Sequence, residues 1–492
     1  MEHYLMGINL GVAKVTVLIQ DLMGIQIACV SKQYGIIIPW EGCAEQDMDQ
    51  LWASTAQAIG EALREGGARP EDISAVGVSG QMHGMVALDK AGNPVHNAII
   101  SFDRRSRDAI SEIYLSISKG EFSEKTYNQL ETGCLIASLV WLRRHRPEAY
   151  ERIRVVMLPK DYIRYRLCGE VGTDCTDAAG SMVFNVAKRH WETDFMEKLG
   201  IDPQIFPPVG ESCEIAGYVT PQAAAETGLQ IGTPLSFGGG DQPMQLLGSG
   251  IVKPGKILAN IATAVQMAAV VPKPIQDANL RALVYPFADS HTWAIMCAGL
   301  NGMVSLKWFK DIVGLASYDD VLRAAVLSPP GCNGVVSVPY LCGVYTPYKN
   351  PLAKAIFFGL TINSTQADLA RSMLEGIVFG QRDSLNVLHS MQIPTEMILS
   401  SGGGDISPLW RQIQADILGR EIYRSFPREK ACLGAAITAG VAVGLYASLE
   451  EGCARSIRLR DDVTVPNPNL KAMYDEKYET FRELYRRNRD LF

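Results

Sequence analysis

The stretch PLSFGGGDQPMQLLGSG, residues 234–250, decides how the rest of the chain is read. Residues 234–237 form a short apolar run that reads as a strand, and Gly238, Gly239 and Gly240 supply a turn where backbone can approach a ligand closely. Asp241 follows, and Pro243 to Leu247 begin a helix that Gly248 and Gly250 terminate. A carboxylate at a strand tip, on a glycine turn that opens a helix, suits a general base. The same residue can also be read as a plain helix N-cap. Two wider features favour the chemical reading: the strand–glycine–helix unit recurs later, and the chain is built twice.

The first copy opens with MGINLGVAKVTVLI, two apolar runs around Gly11, and a third strand after the turn Asp21–Gly24. This is a β-meander with a glycine-containing hairpin at its start. Residues Asp47–Glu65 carry helical spacing closed by Gly66-Gly67, and ISAVGVSG (73–80) reads as a buried strand. After Gly250, IVKPGKILANIATAVQMAAVV repeats the opening theme, HTWAIMCAGLNGM adds a third strand, and ILSSGGGDISPLWRQIQADILG (398–419) is a second strand–glycine–helix unit. Cys432–Ala447 reads as a buried helix, and Leu470–Leu491 as an amphipathic terminal helix. The pattern predicts an α/β protein of two domains, 1–250 and 251–492, with a cleft between them. Hairpin turns can offer backbone N–H groups to phosphate, and a hinge lets two domains close over substrates and exclude water.

Composition narrows the function. At 492 residues with 47% hydrophobic and 20% charged residues, the chain falls among globular proteins of two or three domains. A formal charge of −7 argues against binding a phosphate backbone, so nucleic acid is not an expected partner. The eleven cysteines are scattered without a CxxC pair, and the seven histidines form no metal-binding spacing. No signal layout opens the chain, and no apolar run reaches the ~18–20 residues a membrane span needs. These features predict a cytoplasmic protein with no membrane partner.

Several separate motifs resemble the FGGY carbohydrate kinases, and the xylulokinases most closely. They are GQMHG (80–84), LPKDYIRYRLCGE (158–170), TDAAGSMVFNVAKRHW (176–191), GGGD (238–241), PYLCGVYTPYKNPLAKAIFFGLT (339–361), LEGIVFG (374–380), GGGDISPLWRQIQADILGREI (402–422) and LGAAITAG (433–440). Any one is weak, but all eight in order are specific. The resemblance implies two actin-like, ribonuclease-H-like domains, with sugar bound mainly by the first and ATP mainly by the second. It implies that Asp241 takes the proton of the attacking sugar hydroxyl, a role in which a placed base contributes about 10²–10⁴-fold. It assigns Met82, His83, Asp103 and Asp241 to the sugar. Gly11, Thr263, Gly402, Gly403, Gly404 and Ser407 go to the nucleotide. For Asp103 a salt bridge with Arg104, Arg105 or Arg107 competes with the sugar role.

The departures from the family pattern cluster at the phosphate end. An Asp usual at position 9, which helps hold magnesium, is here Asn9, a metal-site residue without the charge a hard cation prefers. Val12 and Thr16 stand where a Thr and a basic residue are usual, Ala262 and Val265 replace glycines beside Thr263, and Val344-Tyr345 replace Glu-Arg. Ser101-Phe102 stand where Trp-Asn is common in the sugar domain. Three or four lost contacts total roughly 3–6 kcal/mol, or about 10²–10⁴-fold in rate. Lys14 and Asp405 are candidate compensating groups. The expectation is therefore an ATP-dependent kinase, with ATP and magnesium, acting on a pentulose such as xylulose and slowed by its altered hairpins. The alternative is a pseudokinase that binds sugar or nucleotide without turnover. A small sugar and ATP are the expected partners, and a homodimer is an admissible assembly.

Overall fold

The computed structural model describes residues 3–426 and 429–492. In the first half, strands β1 (Tyr4–Leu10), β2 (Lys14–Asp21) and β3 (Gln26–Gln33) form the expected antiparallel meander. Helix α1 (Met48–Gly66) is capped by the Asp47 carboxylate and closed by Gly67 in the left-handed conformation. Strand β4 (Ile73–Gly80) then pairs parallel to β1, as a crossover through a helix requires. Helix α2 (Pro159–Cys168), β5 (Ile215–Tyr218) and β6 (Pro234–Ser236) follow, and the two-residue β7 (Gly239–Gly240) leads into α3 (Asp241–Leu247). The sheet order is β5-β6-β4-β1-β2-β3, with β7 beside the end of β4. Residues 215–236 hold one helix the sequence pattern did not suggest, Pro221–Thr227, between the two antiparallel strands.

The second half repeats this plan. Its meander is β8 (Gly255–Ile261), β9 (Val265–Val271) and, after the short β10 (Leu283–Pro286), β11 (Trp293–Gly299). Helices α4 (Met303–Ile312) and α5 (Gln366–Ser390) lead to β12 (Thr395–Gly402), which pairs parallel to β8 just as β4 pairs with β1. The order is β10-β11-β9-β8-β12-β13, where β13 is Ile422–Tyr423 and α6 (Pro408–Leu418) precedes it. The chain then crosses back. Helix α7 (Lys430–Ala442) lies on the first sheet, where the backbone of Cys432 touches Gly7 and that of Ala435 touches Gly77 so closely that neither glycine has room for a Cβ. The first sheet is therefore covered by α1 on one face and α7 on the other, which explains why β1 and β4 are buried on both sides.

The last helix, α8 (Lys471–Asn488), buries Tyr474, Tyr478, Phe481, Leu484 and Tyr485 against the second half. All eleven cysteines are free thiols, eight of them buried. No described helix is long and apolar enough to cross a membrane.

Candidate active site

The carboxylate at 241 does not cap its helix. Gly240 holds the N-cap position, no side chain caps there, and Asp241 is the first helical residue. The turn before it is tightly constrained. Gly238 has φ +68°, and any Cβ there would strike the Val78 carbonyl. Gly239 and Gly240 pair with Ser79 and Gly80 at the end of β4, and the Gly240 amide donates to Thr176 Oγ1 at 2.9 Å. Asp241 is half-buried at the tip of this sheet. Burial pushes its carboxyl up to about 6, against hydrogen bonds with Gln242 that pull it down. A carboxylate that titrates near neutrality and holds no ion pair among the described residues is suited to accept a proton.

Met82 and His83 stand beside it. Met82 is buried, and its side chain packs against Gly240, so it supports the turn from below. His83 has φ +78°, a conformation uncommon for a residue with a side chain. Its Nδ1 donates to the Gly180 carbonyl at 3.0 Å, which leaves Nε2 as an acceptor, and burial lowers its pKa and keeps the ring neutral. Nε2 meets the hydroxyl of Tyr285 at 3.4 Å. Tyr285 belongs to β10, so this contact joins the two halves. Its phenol is raised well above the usual value by burial and then by Tyr345, Asp241 and Glu131 nearby.

Asp103 is different. It is fully buried, and its oxygens accept from the Ala44 amide at 2.7 Å, the Arg105 amide at 2.9 Å and Arg105 Nε at 2.8 Å. Arg105 also pairs with Glu45 at 2.7 Å and lies between Trp40 and Trp141. Of the two readings of Asp103, the salt bridge forms, with Arg105 as the partner, and each of these contacts is internal to the protein.

The phosphate-end residues lie on matching features of the two halves. Asn9 and Asn260 occupy the penultimate positions of β1 and β8, just before the hairpins 11–13 and 262–264. Each has a buried side-chain oxygen with no hydrogen-bond partner. Gly11 starts the first hairpin and bonds Lys14, while Thr263 is exposed in the second, which docks on the start of α4 through Ala262 and Met303. Gly402 is exposed with φ +80°, and a Cβ there would fill the space in front of the Asn260 oxygen. Gly403 and Gly404 continue this turn, against Met303 and Ile261. Ser407 is buried and its hydroxyl caps α6 by accepting from the Trp410 amide, so only its backbone belongs to the turn. Of the candidate compensating groups, Lys14 pairs with Glu429 at 3.7 Å, and Asp405 lies beside Arg424.

A buried ionic network that the sequence pattern did not mark lies behind the Asp241 turn. Lys160, fully buried on α2, contacts Asp161 at 2.5 Å, Asp174 at 2.7 Å and Asp177 at 3.8 Å. These three carboxylates are close enough to hold a cation, and the lysine already supplies it. Asp174 accepts from the Thr176 hydroxyl at 2.5 Å, and Thr176 in turn accepts from Gly240. One short segment, 174–180, thus holds both the base turn, through Thr176, and His83, through Gly180. Burial, opposed by Lys160 and aided by Asp161, Asp174 and Asp241, raises the Asp177 carboxyl well above its usual range. The signal was present in LPKDY and TDCTDAAG as charges in otherwise buried stretches, although no local period marks them.

Two ribonuclease-H-like halves, each with a hairpin and a glycine turn at matching places, make up the two-domain actin-like fold of a class of phosphotransferases. Residues 4–248 match the FGGY family of carbohydrate kinases, N-terminal domain, and residues 263–443 match its C-terminal domain. The chain belongs to the FGGY family of carbohydrate kinases, ATP-dependent enzymes that phosphorylate sugars. It is 31% identical to a xylulose kinase of Escherichia coli K12, over 97% of this chain and 98% of that one. It is 28% identical to an autoinducer-2 kinase of Salmonella paratyphi A, over 99% and 95% of the two chains. The crystal structure of a "xyloylose kinase" from Brucella ovis superposes with a TM-score of 0.92 at 29% identity, covering 100% of both chains.

Proposed function

We propose that the protein transfers the terminal phosphoryl group of ATP to a hydroxyl of a pentulose such as xylulose, with Asp241 as general base. The observation that carries this reading is the Asp241 carboxyl. It holds no ion pair among the described residues, is pushed up to about 6, and sits on a rigid glycine turn near His83 and Tyr285. In the reaction, Asp241 accepts the proton as the sugar oxygen attacks phosphorus, because a hydroxyl is a better nucleophile as its proton leaves. The His83 Nε2, held by the Gly180 carbonyl on its far side, accepts a hydrogen bond from a second sugar hydroxyl and orients the ring. Its existing partner, Tyr285, is 3.4 Å away, a bond weak enough for a substrate hydroxyl to replace.

The first half provides these sugar contacts, and the second provides the nucleotide turn at 402–404 and the Thr263 hairpin. A magnesium ion bound with the triphosphate would supply charge neutralisation. The buried, unpartnered oxygen of Asn9 is the type of donor a hard cation takes, so the residue fits that role at reduced charge. The similarity to a xylulose kinase and to an autoinducer-2 kinase supports a small polyhydroxylated acceptor. A coupled ADP-release screen across ketoses and polyols with magnesium-ATP tests the reading. A pentulose-dependent rate is expected. Sugar-induced stabilisation without ADP release from any acceptor would instead point to a binding protein without turnover.

A further inference from the structure

Lys430 is the first residue of α7 and the one charged side chain in KACLGAAITAGVA. It is 4% exposed, yet its ammonium has no hydrogen-bond partner, and no ion pair to it exists among the described residues. Its position is doubly unfavourable. An unpartnered buried ammonium is costly, and a cation at a helix N-terminus opposes the helix dipole. Burial accordingly lowers its pKa to about 8, offset only in part by Asp405. Such a group calls for an anion closer than any among the described residues.

The surroundings indicate which anion. Helix α7 runs antiparallel to β1, with Gly440 beside Leu5 and Cys432 against Gly7, so its N-terminus lies at the hairpin end of β1 that carries Asn9. Glu429, one residue earlier, pairs with Lys14 of that hairpin. The Lys430 carbonyl abuts Gly248 at the end of the helix that begins with Asp241. On the other side stands Asp405 in the 402–407 turn, where Arg411, Arg424 and Arg460 outnumber the carboxylates of Asp405 and Asp462. Hairpin, nucleotide turn and base helix converge on one unsatisfied cation at the positive end of a helix, a setting that draws phosphate.

We propose that Lys430 binds the polyphosphate of the nucleotide and supplies the positive charge that the first hairpin, with Val12 and Thr16, does not. This rests on the kinase reading above. The test is calorimetric binding of magnesium-ATP and of AMP to the full chain without sugar. Lys430→Met is expected to weaken magnesium-ATP by about 10- to 100-fold, the worth of a charge-assisted hydrogen bond, while AMP binding stays unchanged and Lys430→Arg retains most of the affinity. The unliganded Lys430→Met protein should melt no lower than wild type. If Lys430→Met does not fold, Lys430→Gln is read by the same criterion. Unchanged magnesium-ATP affinity in the variant would overturn the proposal and leave the kinase reading intact, as would an equal loss for AMP. A wild-type protein that binds no ATP would overturn both.

Discussion

Asp241, His83 and Asp103 show how the same residue types take different parts according to what surrounds them. Asp241 has no cation beside it among the described residues, so burial governs its titration. The catalytic rate on sugar is expected to fall about tenfold per pH unit below about pH 6, as protonation removes the base, and to level off above that point. A flat profile down to pH 4.5 would contradict the assignment. Asp103, by contrast, is locked by Arg105. Asp103→Asn leaves a buried guanidinium short of its counter-charge and should cost about 3 kcal/mol of stability, measured by denaturant unfolding. The sugar KM of the folded fraction should stay unchanged; a large KM rise with little loss of stability would restore Asp103 to the sugar pocket. Asp241 and His83 were legible in the sequence because a glycine turn and a family motif mark them. Which partner Asp103 chooses was not, since three arginines follow within four residues and only packing between Trp40 and Trp141 selects one.

Among the elements, the segment 174–180 carries the most consequence for its length. Lys160 and Asp174 fix Thr176, and Thr176 fixes the Gly240 amide one residue before Asp241. Thr176→Val keeps the shape and removes the acceptor. It should lower kcat by about tenfold or more, since small misplacements of catalytic groups are costly, with sugar KM changed far less. Thr176→Ser should recover most of the rate. A loss confined to melting temperature, with kcat per folded molecule unchanged, would make the network merely structural. The meanders, the parallel strands and the helix after each glycine turn were all readable, because apolar period and glycine position are local properties. The short β10 was not, since four residues carry no period, and it is the strand that brings Tyr285 to His83. Nor could the sequence show that α7 returns to the first sheet. That depends on close contact with Gly7 and Gly77, more than 350 residues away in the chain.

Taken whole, the molecule is one fold made twice, with Asn9 and Asn260 at equivalent places. The duplication explains why each half carries a hairpin and a glycine turn at matching places. Helix α7 ties the halves together, with its body on the first sheet and Lys430 near the turn of the second. The central claim is that the carboxylate at 241, held between these halves, removes the proton of the attacking hydroxyl. The direct test is Asp241→Asn, assayed for ADP release with the best sugar and for sugar binding by thermal shift. Folding raises the pKa of this carboxyl, so its ionised form opposes folding above about pH 6, and the variant should melt higher than wild type at pH 7.5. ADP release should fall by at least about 10²–10⁴-fold while the sugar still stabilises the protein. Turnover close to wild type in that variant would contradict the account.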